Sequence, residues 1–132
     1  MLLLALVLTG CGGTWVDDRH NFDRVFGFNK PADVQVIHSY YWKSPHWSTE
    51  YKYFIALKPS PKFVEELTSP ELMRKATSEE TGIPDTCGDN APQWFLPKVP
   101  TEYEMWVSRS GLTYRVFRDK MDGTLFVCDE QL

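Results

Sequence analysis

The chain has 132 residues, 42% hydrophobic and 24% charged, which suits one globular domain and is too apolar for a disordered chain. A domain of this length buries roughly two thirds of its unfolded surface, enough for a real core. The formal net charge of −4, with no Lys/Arg run longer than two, argues against nucleic acid as a partner, because phosphate binding needs a concentrated basic patch. Aromatic residues make up 14% of the chain, with five Trp among them. Most such rings must be core, and the remainder are candidates for contact with a partner.

The chain opens with Leu2–Leu8 (LLLALVL), an unbroken apolar run. It is far shorter than the about 20 residues a spanning helix needs, and it matches the apolar segment of an export signal. Leu8-Thr9-Gly10-Cys11 follows directly. An aliphatic residue, two small residues and a Cys resemble the lipobox of bacterial lipoproteins. The resemblance covers residues 1–11 and implies processing only. Cys11 would carry a diacylglyceryl thioether, the bond before it would be cut, and the new amine would take an acyl chain such as palmitate. It further implies a lipid-anchored envelope protein. The non-acidic Gly12 points to the outer membrane facing the periplasm, otherwise to the cell surface. Met1 is followed directly by leucines without the usual basic region, which predicts a translation start upstream. The alternative is that Leu2–Leu8 is a buried strand and Cys11 a plain thiol. The expected organisation is a signal peptide over 1–10, a lipidated tether over 11–21, and a single domain over 22–132.

Within the domain, Phe22–Phe28 reads as a first strand. Asp33–Trp42 alternates, with Val34, Val36, His38, Tyr40 and Trp42 on one face. Tyr51–Lys58 alternates likewise, with Tyr51, Tyr53, Ile55 and Leu57 on one face. The turn formers of Lys43–Glu50 join the two into a long hairpin. Ser60-Pro61 is an N-cap followed by Pro at the first helical position, and Ser69-Pro70 repeats the signal. Thr77-x-x-Glu80 has the spacing of a capping box, so residues 60–81 predict two short helices or one bent one. Residues 82–100 predict a long loop with Trp94-Phe95-Leu96 as an apolar plug. Strands over Glu102–Ser108, Leu112–Arg118 and Thr124–Asp129 form a closing meander, with Asp122-Gly123 as a hairpin dipeptide. The order predicts an α+β domain: an antiparallel sheet of about five to six strands with one or two short helices packed on one face.

With Cys11 assigned to lipid, Cys87 and Cys128 remain as an even pair in an exported chain, which points to a disulfide. The alternative is two free thiols.

The hairpin residues Trp42, His46 and Trp47 are the candidate partner-binding surface, since rigid aromatics at a loop tip suit an interface. The blander reading has both Trp folded onto the sheet. His20, His38 and His46 lack the spacing of a metal site. Asp85, Asp89 and Asn90 fit ordinary turn chemistry better than a calcium loop. Glu65-Glu66 and Glu79-Glu80 fit solvated helix faces, and there is no nucleophile elbow. No cofactor or metal is expected. The leading functional reading is a non-enzymatic envelope lipoprotein that binds another protein, as an inhibitor or immunity protein does. The alternatives are a small-ligand binder with an aromatic pocket and an envelope enzyme.

Overall fold

The computed structural model describes residues 12–45, 50–77, 80, 87 and 90–132. The lipobox with Cys11, the hairpin residues His46 and Trp47, and Asp85, Asp89 and Glu79 lie outside the described residues. In chain order the elements are β1 (Gly13–Val16), α1 (Asn21–Phe26), β2 (Gln35–Lys43), β3 (Tyr51–Lys58), α2 (Pro61–Leu67), β4 (Met73–Lys75), β5 (Tyr103–Ser108), β6 (Arg115–Asp119) and β7 (Leu125–Gln131). The seven strands form one sheet in the order β1-β2-β3-β7-β6-β5-β4, antiparallel throughout. The α+β expectation holds, with more strands than the five or six expected. No helix among the described residues is long and apolar enough to cross a membrane.

The strand β3 lies between β2 and β7, and residues Tyr53–Leu57 are all buried. Its alternate side chains enter two separate cores. Tyr53, Ile55 and Leu57 join Phe22, Phe63, Val116, Leu125 and Val127 under the helices. Phe54 and Ala56 join Phe95, Tyr103, Met105, Phe117 and Phe126 on the other face. Both helices therefore cover one face. Their rings meet at Phe22–Phe63, 5.8 Å, and Phe26–Phe63, 5.5 Å. The α2 start is as expected: the Ser60 hydroxyl accepts from the Phe63 N–H and Pro61 occupies the first turn.

The second face is covered by chain without regular structure. Phe95 is buried and makes edge-on contacts with Phe54, Phe117 and Phe126 at 5.0–6.3 Å. Trp94 and Leu96 pack beside it, as the plug reading predicts. Cys87 and Cys128 stand at disulfide distance, Cα–Cα 5.7 Å, tying this cover to the buried middle of β7. The Lys98 ammonium contacts the buried Asp119 carboxylate at 2.7 Å and fixes the far end of the cover to the β6–β7 turn.

Four expectations are corrected. The stretch Phe22–Phe28 carries most of helix α1 (Asn21–Phe26), not a strand, because Phe22, Val25 and Phe26 have helical spacing and Gly27 ends the helix in the left-handed region (φ 76°). The stretch read as a tether contains β1 and the start of α1. Its short Gly-Thr-Trp-Val sequence hides a strand paired along Tyr40–Lys43. The Ser69-Pro70 signal starts a turn, with the N–H groups of Leu72 and Met73 both donating to the Ser69 carbonyl. The chain then pairs as β4 with Trp106–Ser108, so sheet pairing displaces the second helix. Finally, β2 does not keep one face. A bulge leaves Ile37 unpaired between Val36↔Leu57 and His38↔Ala56. Val36 thus faces the helices, whereas Tyr40 faces the plug. The Thr77/Glu80 capping box is present: the Thr77 N–H donates to the Glu80 carboxylate at 2.6 Å.

Phe95→Ala is expected to cost about 3–5 kcal/mol in urea unfolding, as for a large buried ring. The exposed Val99→Ala should stay within about 0.5 kcal/mol. The Lys98 hydrogen bond, joined by the N–H groups of Met121 and Asp122, holds the Asp119 carboxyl below its ordinary range near 3.8. The unfolded chain therefore binds this proton more readily. The contribution is full above that range and is lost as pH falls through the lower folded value. Asp119→Asn should flatten this part of the acid-unfolding profile.

Candidate functional site

The strand register places one row of aromatic and polar side chains across the helix-side face, near the end of the sheet where β1 begins. Trp15 on β1 is level with Tyr41 on β2, Tyr41 with Tyr53 on β3, and Tyr53 with Asp129 on β7. Arg115↔Cys128 puts Tyr114, just before β6, level with Asp129. Tyr51 stands one step further towards the end. The helices cover the other part of this face, so Trp15, Tyr41, Tyr51 and Tyr114 are only partly buried.

Two features make this row rigid. The rings of Tyr41, Tyr51 and Tyr53 are mutually parallel within 10°, with centroids 6.1–6.5 Å apart. The Asp129 carboxylate, itself buried, accepts from the Tyr51 hydroxyl at 2.8 Å on one oxygen. The other oxygen accepts from Thr113 and from the Glu130 N–H. At the β1 edge the Arg24 guanidinium lies 4.5 Å over the Trp15 ring. Arg24 is aimed by Asp18 and Asn21, both at 2.8 Å. Buried Asn21 also donates to the Trp15 carbonyl and the Ser39 hydroxyl, locking α1 to β1 and β2.

The electrostatics follow from that packing. Burial pushes the Tyr51 hydroxyl up to about 12, with its hydrogen bond to Asp129 adding to the shift. Burial also raises Tyr53, Tyr41 and Tyr114 above the ordinary phenol value. The phenols therefore stay neutral at neutral pH, with the Tyr51 hydroxyl donating to Asp129. Asp18 is held low by the His20 N–H and by Arg24, so it keeps the charge that orients the guanidinium.

The other sequence-stated candidates fall elsewhere. Trp42 is half-buried between Thr14 and Lys52, on the sheet face opposite Tyr41. His38 stacks on Trp94 at 5.2 Å, with Nδ1 3.5 Å from Asp17. His20 occupies the N-cap position of α1 without a side-chain capping bond, its Nδ1 3.9 Å from Asp23. Both described histidines thus have their own local partners. Glu65 and Glu66 are solvated on α2, and Glu80 is paired bidentately with Arg74. Among the described residues no group of three His, Cys, Asp or Glu could hold a metal ion. One open cleft of about 720 Å³ is lined by Lys58, Pro61, Val64, Arg118 and Asp122. Another of about 570 Å³ is lined by Asp17, Lys30, Val36 and Ile37. Neither has a Trp or Tyr in its wall. The tyrosine row was missed in the sequence because Trp15 lay in the expected tether and the Ile37 bulge moved Tyr41 to the helix side.

No protein-family model, curated protein or solved structure matches this chain.

In an alkaline titration followed by tyrosinate absorbance, one phenol should ionise near pH 12. Asp129→Asn should lower that midpoint while burial keeps it above the ordinary value of 10. An unchanged midpoint would remove Asp129 from the site's electrostatics. Because the folded value is raised, the associated stability is full below pH 10 and is lost as pH rises through about 12.

Proposed function

We propose that this protein is a lipid-anchored lipoprotein of the cell envelope whose domain is a non-enzymatic binding module for another protein, of the inhibitor or immunity kind. The observation that carries the binding reading is the fixed row Trp15–Tyr41–Tyr53–Tyr114 with Tyr51 and the Arg24 guanidinium. Trp, Tyr and Arg are the residue types that dominate binding energy at interfaces. Parallel, packed rings, with Tyr51 also hydrogen-bonded to Asp129, lose little conformational entropy on association, which is how rigid side chains raise affinity. The anchoring reading is supported by Leu8-Thr9-Gly10-Cys11, by the apolar run before it, and by Cys87 and Cys128 at disulfide distance, which suits an oxidising compartment outside the cytoplasm. Gly12 after the acylated residue favours the outer membrane facing the periplasm. Trp42 adds an aromatic side chain on the opposite face near the same end of the sheet.

The Tyr rings also favour a second reading. Their faces and hydroxyls could hold a small ligand on the sheet surface, with no enclosed pocket.

Two measurements test the proposal. Mass spectrometry of the membrane fraction should find the mature chain beginning at an acylated Cys11, and Cys11→Ser should release it to the soluble fraction. An unmodified Cys11 with residues 1–10 retained would overturn the anchor. Cross-linking in envelopes should capture one defined protein with the wild-type chain. Tyr41→Ala or Tyr51→Ala should weaken that association about 30-fold, the effect of losing about 2 kcal/mol at a hot spot. Unchanged affinity in folded variants would exclude the row as the binding surface.

A further inference from the structure

We propose that the end of the sheet where β1 begins rests on the lipid bilayer, with Leu72, Leu112, Lys43 and Arg109 contacting its interface. The inference rests on the Cys11 anchor proposed above and goes beyond it by fixing the orientation of the domain.

The first argument is the length of the link. Gly12 packs against the backbone of Ser44 and Pro45, so closely that a β-carbon on it would lie 2.6 Å from the Ser44 carbonyl carbon. Gly13 is already paired with Lys43 in the sheet. Cys11 is one peptide step, about 3.8 Å, from Gly12. An acyl anchor on Cys11 therefore leaves the domain directly at the edge strand, with no spacer that would let the domain lift or turn over.

The second argument is what shares that end. The antiparallel order brings there the end of β2 at Lys43, the start of β3 at Tyr51, the turn between β5 and β6, and the start of β4. Leu112 in that turn is 57% exposed and Leu72 before β4 is 61% exposed. Arg109 ties the two together, its backbone N–H donating to the Leu72 carbonyl and its side chain to the Pro70 carbonyl. Lys43 and Arg109 are exposed cations near this end, with Glu71 as the exposed acidic neighbour. Exposed leucines flanked by cations suit the headgroup boundary.

The opposite end also exposes apolar residues, Val99 and Met121. Exposure alone does not choose between the ends, but the link does. The nine residues of β2 put the far end roughly 30 Å away at about 3.3 Å per residue. A one-residue connection cannot bring that end to the membrane while β1 stays paired.

The test uses the acylated full chain, purified from membranes and placed in nanodiscs of phosphatidylethanolamine and phosphatidylglycerol doped with a gadolinium-chelating lipid. Paramagnetic broadening of backbone amides is read by nuclear magnetic resonance. Amides of Leu72, Leu112 and Lys43 should broaden severalfold more than those of Val99 and Met121. Equal broadening at both ends, or stronger broadening at Val99 and Met121, overturns the inference. The mass of Cys11 in the same sample separates the two failures. Acylated Cys11 with the wrong broadening pattern defeats only the orientation. An unmodified Cys11 defeats the anchor and the orientation together.

Discussion

Burial of β3 on both faces is the constraint from which the rest follows. A strand with water on one side can keep polar residues there, but Tyr53-Phe54-Ile55-Ala56-Leu57 has apolar side chains on each side. Such a strand needs two covers. One is conventional, the aromatic faces of α1 and α2. The other is a loop, and a loop brings unpaired backbone groups and few apolar residues per unit length. The chain meets that need with one deeply inserted ring, Phe95, and with ties at both ends of the cover: Cys87 to Cys128 and Lys98 to Asp119. The connection that looks least organised in the sequence is therefore as structural as either helix.

The bulge at Ile37 links this packing to the candidate site. With regular alternation, Tyr41 would share a face with Ile37 and Ser39, opposite Val36. The extra residue shifts the phase halfway along β2. The N-terminal half of the strand gives Val36 to the helix core. The second half turns Tyr40 to the plug and sets Tyr41 beside Tyr51 and Tyr53. One inserted residue thus serves both cores and completes the row of parallel rings.

Much of this fold was legible in the sequence because it rested on local signals. The alternation in Tyr51–Lys58, the Ser60-Pro61 cap, the Thr77/Glu80 box, the Trp94-Phe95-Leu96 plug and the meander after Glu102 each have a physical cause within a few residues of chain. Apart from α1, whose Phe22/Val25/Phe26 spacing and Gly27 cap are local signals, the failures share the opposite property. The strand β1 is made by its pairing with β2, not by the propensity of Gly-Thr-Trp-Val. The strand β4 exists because β5 offers an edge, which outweighs a helix signal at Ser69-Pro70. The bulge has no marker in the residues around Ile37. The site inherited these errors, since its row needs β1 in place and β2 in the correct phase. The cysteine pairing came from counting and needed no geometry.

The close approach of Gly12 to the Ser44–Pro45 backbone restricts evolution as well as packing. Under the proposed anchoring, the residue after the acylated cysteine also serves as an address, read by the machinery that distributes lipoproteins between membranes. An aspartate there would alter the address, but its side chain would have to displace the hairpin backbone and strip β1 from the sheet. Under that anchoring, folding and sorting would constrain the same residue. Any change at this residue that altered the address would then also require a compensating shift of the Ser44–Pro45 backbone.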